Sequence, residues 1–253
     1  MSLVETSPPP IAAPRLPRTW YFLGTAIFGL LAFGVMLLAQ TLTLVAAAIR
    51  YGVSSAAELR EFSYRGGPTA AITIVACPFV LAVLWVTIRI ARRRFASYLA
   101  LRWPSFGASV RGLAITLGFF LVWKLLSYLV GQPTPAFMFD IYRTAKDAGS
   151  LWLLLVALCV AAPITEEFAV RGFLFRGWSK SFLGPIGAIV LSSALWAAMH
   201  QQYNWYYISQ VFLLGLIFGY LRYRSDSTWL TVMMHGFWNL AVIAWTAVIV
   251  AYF

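Results

Sequence analysis

Long runs of uncharged, apolar residues set the pattern of the chain. No Asp, Glu, Lys or Arg occurs in residues 20–49, 66–88, 181–221 or 227–253. A helix needs roughly 20 apolar residues to cross a bilayer, so each run can hold one span and the third can hold two. Backbone groups in lipid must be paired within a helix or a closed barrel. Because these runs lack the alternation of barrel strands, we predict that every span is a helix.

The predicted fold class is all-α, a polytopic transmembrane helical bundle with about seven spans. The run at 181–221 is divided at residues 201–204, its most polar point, because it is about twice as long as one span. The seven spans are predicted at residues 20–49, 67–88, 110–130, 150–176, 185–201, 205–222 and 228–252.

The composition excludes a water-soluble, disordered or disulfide-stapled protein. Hydrophobic residues make up 61% of the chain and charged residues only 11%, which is far from soluble composition. Cys77 and Cys159 each lie inside an apolar segment, where a small hydrophobic residue is the simplest interpretation. The proline-rich residues 1–19 predict a flexible cytoplasmic tail. We divide the rest into N-terminal transmembrane helices at 20–149 and a C-terminal transmembrane domain at 150–253.

The charge distribution predicts how the bundle is oriented. The net charge is +11, but the basic residues lie between apolar spans and form no surface that would follow a phosphate backbone. We therefore expect a lipid bilayer around the protein and no nucleic-acid partner. Thirteen basic residues flank the spans on one side and five on the other. By the positive-inside rule the N-terminus is cytoplasmic and the C-terminus lies outside, as in a protein of a bacterial cytoplasmic membrane.

One basic residue falls inside a predicted span. Lys124 lies in the third span, where we expect its side chain either to extend toward the membrane surface or to pair with a carboxylate.

Two adjacent carboxylates interrupt the fourth span. Glu166 and Glu167 follow the uncharged residues 148–165, and an ionisable group at that depth costs at least ~2.5 kcal/mol, so it is a functional hypothesis by default. Glu167 and Arg171 are four residues apart, which predicts an ion pair that keeps Glu167 charged. Neighbouring helical residues point about 100° apart, so Glu166 is free to face another helix. The alternative is a charged collar at the cytoplasmic end of the span.

The two histidines of the chain both fall in the late apolar segments. His200 ends the fifth predicted span, and His235 lies in the seventh, four residues before Asn239. An imidazole and an amide at this spacing project from one helix face. Together with the glutamates they offer a base, metal ligands and a polarising donor. The alternative for each histidine is an ordinary packed or interfacial residue.

These residues form three motifs in a fixed order along the chain. Glu-Glu-x-x-x-Arg, aromatic-x-x-x-His and His-x-x-x-Asn resemble the motifs of the CPBP family of intramembrane proteases, the CAAX-prenyl-protease and bacteriocin-processing group also called the ABI family. The resemblance covers residues 150–250. Phe is usual in that family where this chain has Trp. The motifs fall on Glu166, Glu167 and Arg171, on Trp196 and His200, and on His235 and Asn239.

The resemblance implies an intramembrane endopeptidase that acts on a peptide or membrane-protein substrate, with residues 150–253 as its catalytic domain. Glu166 would activate the attacking water, and all the motif residues would belong to the site. In one version a zinc ion held by His200 and His235 polarises the water. In the other, the histidines and Asn239 donate hydrogen bonds directly to the oxyanion. The chain lacks HExxH, and the sequence leaves both versions open.

Two other functions fit the same residues. In a proton-coupled transporter or channel, Glu166 and His200 would be relay groups on a path open to both faces. A catalytically silent immunity or scaffold protein could have the same fold. The predicted spans also conflict with a common site for these residues. They place His200 near the outer end of its helix and Glu166 nearer the inner end. A common site therefore requires tilted helices, a kink at Pro163 or shifted boundaries.

Overall fold

The chain is all-helical over residues 18–252, which are the residues that the computed structural model describes, and no strand occurs among them. The predicted tail lies outside this range except for its last two residues. The fold class predicted from the sequence is confirmed. The helices are α1 (Tyr21–Arg50), α2 (Ala56–Ser63), α3 (Gly66–Ile90), α4 (Phe95–Tyr98), α5 (Phe106–Leu129), α6 (Ala136–Asp147), α7 (Leu151–Trp178), α8 (Gly184–Ala198), α9 (Trp205–Ser225) and α10 (Thr228–Tyr252).

All seven predicted apolar segments form helices, but two of them differ from full spans. Five helices within residues 18–252, namely α1, α3, α5, α7 and α10, are long and apolar enough to cross a membrane. Helix α8 has only 15 residues, and α9 ends with two arginines in its last turn. The protein is therefore an integral membrane helical bundle. Helices α2 and α6, which the sequence analysis did not predict, join the longer helices.

Helix α7 lies at the centre of the bundle. It packs against α1 and α3 on one side and against α8 and α10 on the other. One apolar cluster joins it to α3 through Leu84, Ile88 and Phe173, all fully buried. A second cluster joins it to α8 and α9 through Trp196 and Phe218. Because every neighbour of α7 contributes buried apolar surface, polar side chains on α7 can be held away from lipid.

The antiparallel pair formed by α7 and α8 brings two motifs to the same depth. Glu166 lies 12 residues before Trp178 at the end of α7, and Trp196 lies 12 residues after Gly184 at the start of α8. At ~1.5 Å per residue, both are about 18 Å from the turn that joins the helices. The predicted span 185–201 was too long, because α8 ends at Ala198. His200 lies in the connection after α8 and lines the same cavity as Glu166, which resolves the conflict between these two positions.

Small residues allow α8 and α9 to approach closely beside the site. A Cβ atom added at Gly215 of α9 would lie 2.9 Å from Ser193 Cβ on α8 and 3.3 Å from Arg171 Nη2 on α7. Any larger side chain at this position would push the helices apart. Gly215 thus sets the distance at which α9 covers the polar residues of α7.

Candidate active site

A cavity of about 290 Å³ lies between the helices and brings together four of the predicted site residues. Glu166, His200, His235 and Asn239 all line it. Glu166, His200 and Asn239 are partly exposed, whereas His235 is buried. The other two predicted site residues, Glu167 and Arg171, are buried and do not line the cavity. The six residues therefore divide into a cavity-lining set and a buried pair.

The buried pair is the predicted ion pair, and it extends to a third residue. Arg171 Nη1 donates to Glu167 Oε1 at 3.0 Å, and His235 Nδ1 lies 3.0 Å from the same oxygen. Arg171 Nη2 also donates to the backbone carbonyl of Gly215 at 3.3 Å. Glu167 thus stabilises the position of His235, since the carboxylate fixes one ring nitrogen and its orientation.

Trp196 contacts four of the six site residues. Its indole N–H donates to Glu166 Oε2 at 2.5 Å. The Arg171 guanidinium lies 4.2 Å from the centre of its ring, within cation–π range. Both imidazole rings lie 5.4 Å from it in edge-to-face geometry. The Trp that replaces the usual Phe of the family therefore adds a hydrogen-bond donor to the cavity glutamate.

One nitrogen of each histidine is already engaged. His200 Nδ1 lies 2.8 Å from the backbone carbonyl of Trp196, and His235 Nδ1 faces the carboxylate of Glu167. A carbonyl and a carboxylate oxygen only accept, so both Nδ1 atoms carry the proton. In the neutral rings each Nε2 is consequently an acceptor. Direct donation from these histidines to an oxyanion thus requires the imidazolium form.

His200 itself lies outside a helix, contrary to the prediction that both histidines are helical. Helix α8 ends at Ala198, and His200 occupies the connection to α9. Its ring stacks on Tyr203, with ring centres 5.9 Å apart and planes only 8° from parallel. The connection therefore folds back into the bundle instead of ending at its surface.

Pro163 and wider helical turns shape α7 around the cavity. The segments Ala157–Ala161 and Phe168–Leu174 are π-helical and flank the turn that carries Glu166. Pro163 supplies no N–H to the preceding turn. Asn239 Nδ2 donates instead to the Leu158 carbonyl of that turn, at 2.6 Å. The amide of Asn239 is thus positioned by α7 and retains a second N–H for the cavity.

The N-terminal helices, which the motifs do not cover, supply much of the cavity wall. The wall includes Thr69 and Thr73 of α3 and Met138 and Tyr142 of α6. The exposed Gln202, in the connection between α8 and α9, also lines the cavity. The two threonines, four residues apart, were the feature of the sequence that could have indicated this wall. The signal is weak, because threonines in apolar helices commonly bond to their own backbone instead. These residues lie toward the end of the bundle where α3 begins.

The donor set fits a catalytic zinc ion incompletely. His200 and His235 both present a free Nε2 and an engaged Nδ1, which is the pattern of ligating histidines. Catalytic zinc sites, however, use three protein ligands, and within residues 18–252 no three His, Cys, Asp or Glu side chains group as a metal site. Zinc is thus an expectation of the family resemblance alone, and the side chains of the site account for the steps proposed below without it.

Comparison with known families supports the motif assignment. Residues 148–241 match the family model of the type II CAAX prenyl endopeptidases, described as Rce1-like. This range contains all six predicted site residues and the Trp196 donor. The resemblance found in the sequence is thereby confirmed, and at the level of the family it indicates proteolysis within the membrane.

Two curated relatives also match part of the chain. An uncharacterized 24.3 kDa protein of Escherichia coli is 30% identical over 124 residues, which are 48% of this chain and 54% of that protein. The UPF0177 protein YbdI of Lactococcus lactis subsp. lactis (strain IL1403) is 26% identical over 99 residues, 39% of this chain and 51% of that protein. The chain thus spans about half the length of these relatives. No solved structure matches it significantly.

Proposed function

We propose that the chain, whose residues 148–241 match the Rce1-like family of type II CAAX prenyl endopeptidases, is an intramembrane endopeptidase. Its substrate is a peptide or membrane-protein segment that enters the cavity, and the attacking water is activated by Glu166. The observation that carries the proposal is the convergence of Glu166, His200, His235 and Asn239 on one cavity.

Glu166 is the general base of the proposed reaction. It is the only carboxylate that lines the cavity among the residues described, and its second oxygen is held by Trp196. The carboxylate takes a proton from water as the water oxygen bonds to the carbonyl carbon. When the tetrahedral intermediate collapses and the C–N bond breaks, the same proton passes from Glu166 to the departing amine.

The histidines and Asn239 position the water and stabilise the developing charge. The free Nε2 atoms of His200 and His235 can accept the second hydrogen of the water, which orients its lone pair toward the substrate. The second N–H of Asn239 can donate to the oxyanion, and one such donor is typically worth about 10²–10³ in rate. His235 is held for this role by Glu167, which touches neither water nor substrate.

The shape of the cavity favours a protease over a transporter. Toward the α7–α8 turn, Glu167, Arg171, Trp196 and Phe218 are buried, and the small pocket that continues from Glu166 to Leu174 on this side is lined almost entirely by apolar side chains. Toward the start of α3, it reaches the exposed Gln202. A transport path must connect both faces, whereas a hydrolytic site needs only one opening.

The opening faces the side of the membrane opposite to the N-terminus. The cavity extends toward the connections that precede α3 and α7, and the positive-inside rule predicts that those connections lie outside the cytoplasm. The proposed substrate therefore approaches from the extracytoplasmic face or laterally from the outer half of the bilayer.

The proposal is tested by searching for new peptide termini. Purified protein is reconstituted in vesicles with a mass-encoded library of apolar peptides and single-span membrane-protein segments, and protein-free vesicles serve as the control. Mass spectrometry is expected to show new N- and C-termini that appear with time only in the presence of the protein. Absence of any cleavage, together with protein-dependent proton flux across the same vesicles, would favour the transporter instead.

A further inference from the structure

A small side pocket leads from the candidate active site to Lys124. The pocket has a volume of about 60 Å³ and shares His200, His235 and Asn239 with the main cavity. Lys124 of α5 and Gln210 of α9 line it but do not line the main cavity. One water needs about 10–15 Å³ of such space, so the pocket can hold a small polar group and a few waters at most.

Among the residues that the structure describes, Lys124 has no anionic partner. Its Nζ lies 5.5 Å from the ring centre of Phe120 and 5.2 Å from that of Trp245. Within residues 18–252 it takes part in no ion pair. Neither sequence-based expectation therefore describes it fully, because the ammonium group is held between aromatic faces beside the pocket. Placing a cationic side chain at this depth of the membrane costs at least ~2.5 kcal/mol. An unpaired lysine here is therefore a functional hypothesis by default, and binding of an anion is the simplest function for it.

Several polar groups of the pocket already have partners. The Tyr207 hydroxyl donates to the Pro133 carbonyl at 2.9 Å, and the Trp196 N–H is bound to Glu166. The Nδ1 atoms of both histidines are engaged as described above. The Lys124 ammonium, the Tyr203 hydroxyl and the amide of the buried Gln210 make no hydrogen bond within the described residues. The pocket thus offers a cation and neutral donors beside the two Nε2 acceptors, and no carboxylate lines it.

We propose that this side pocket binds a carboxylate of the substrate and that Lys124 is its specificity-determining residue. The ammonium group and the Gln210 amide donate to the two carboxylate oxygens while the adjoining peptide bond lies beside Glu166. The inference rests on the proposed function, since it assigns a subsite of the same cavity. The carboxylate can come from a free C-terminus or from an acidic side chain near the cleaved bond.

The test is an equilibrium binding measurement that needs no hydrolysis. The probes are the peptide Ala-Leu-Leu-Leu with an uncharged dansyl group at its N-terminus and a free C-terminal carboxylate, the same peptide as its C-terminal amide, and the dansylated amide of Ala-Leu-Glu-Leu. Fluorescence polarisation gives each Kd for the full chain in detergent micelles. The variants are Lys124→Met, Lys124→Arg and, as a control at an exposed lysine, Lys180→Met.

We expect the unmodified protein and Lys180→Met to bind one carboxylate-bearing peptide at least tenfold more tightly than the neutral amide. This ratio should fall to about one in Lys124→Met and recover in Lys124→Arg, because Arg restores the positive charge and the N–H donors that Met lacks. If the protein prefers the peptide with the free C-terminus, the bound carboxylate is the C-terminal one. If it prefers the peptide with the internal Glu, the bound carboxylate is that of an acidic side chain. Equal Kd values for all three probes, no binding by any of them, or an unchanged ratio in Lys124→Met would overturn the proposal. Detection of peptide cleavage despite these results would leave the proposed function standing.

Discussion

The indole N–H of Trp196 donates a 2.5 Å hydrogen bond to the carboxylate of Glu166, across the antiparallel pair of α7 and α8. Trp196 is buried and also covers the Arg171 guanidinium. One residue thus joins the buried ion pair to the cavity glutamate. We regard it as a positioning residue, because it acts on substrate only through Glu166.

Replacing Trp196 with Phe should lower the rate while leaving the fold intact. The ring contacts to Arg171 and the histidines remain possible, but the donor to Glu166 is lost. A hydrogen bond to a charged group contributes about 1.5–3 kcal/mol, so we expect kcat to fall about 10- to 150-fold with KM little changed. Steady-state kinetics on an identified substrate measure this, with Trp152→Phe at an exposed position as the control. An unchanged kcat would show that the hydrogen bond does not position Glu166.

The neighbouring glutamate should respond to substitution in a different way. Glu167→Gln leaves Arg171 buried without its counter-charge and weakens the contact to His235. Breaking a buried pair by removing one partner costs about 3–5 kcal/mol. Unfolding in denaturing detergent is therefore expected at a clearly lower concentration for this variant than for Glu166→Gln. The double variant Glu167→Gln/Arg171→Met should recover part of the loss, and equal stability of the two single Gln variants would contradict the assigned roles.

Gly215→Ala should destabilise the bundle through a steric effect. The new Cβ would meet Ser193 on α8 and crowd the Arg171 side chain, and overpacking of this kind typically costs about 1–3 kcal/mol. Gly34→Ala is the matched control, since nothing lies within 4 Å of its Cβ position and alanine favours a helix by up to about 1 kcal/mol. The expected order of stability is Gly34→Ala, unmodified protein, Gly215→Ala. Any other order would mean that α8 and α9 are less closely packed than described.

Removal of metal should leave the activity unchanged. Two imidazole ligands are one fewer than catalytic zinc sites require, and Glu166 and Asn239 account for the proposed steps without a metal. Dialysis against a strong chelator, followed by elemental analysis and an activity assay, tests this expectation. Loss of activity that zinc restores would assign His200 and His235 as metal ligands and replace the proposed water-positioning role.

The sequence predicted the long apolar helices and singled out the four residues that line the cavity together, because uncharged runs and i, i+4 motifs depend on local chain geometry. The ion pair of Glu167 with Arg171 follows directly from the helical period. The depth in the membrane at which the motifs meet depends on where each helix ends. The helix ends were less certain than the helices themselves. Because the fifth span was predicted to continue to residue 201, His200 was expected farther from the α7–α8 turn than Glu166. The distances of Glu166 and Trp196 from that turn already matched in the sequence.

Other features of the site could not be predicted because they depend on tertiary packing. The contact of His235 with Glu167 and that of Asn239 with the Leu158 carbonyl join α10 to α7, 68 and 81 residues apart in the chain. The cavity walls from α3 and α6 come from segments with no motif. Lys124 was recognised as unusual, but its place beside the cavity becomes apparent only when α5 packs against α10.

The most direct test of the central claim is the rate of peptide-bond hydrolysis by Glu166→Gln in vesicles, measured on an identified substrate. Gln retains the size of the side chain and can still meet Trp196 and the cavity, but it cannot take a proton from water. We expect kcat to fall by about 10² or more while binding of the substrate and resistance to denaturing detergent stay near those of the unmodified protein. A Glu166→Gln protein that cleaves at the full rate would contradict the account.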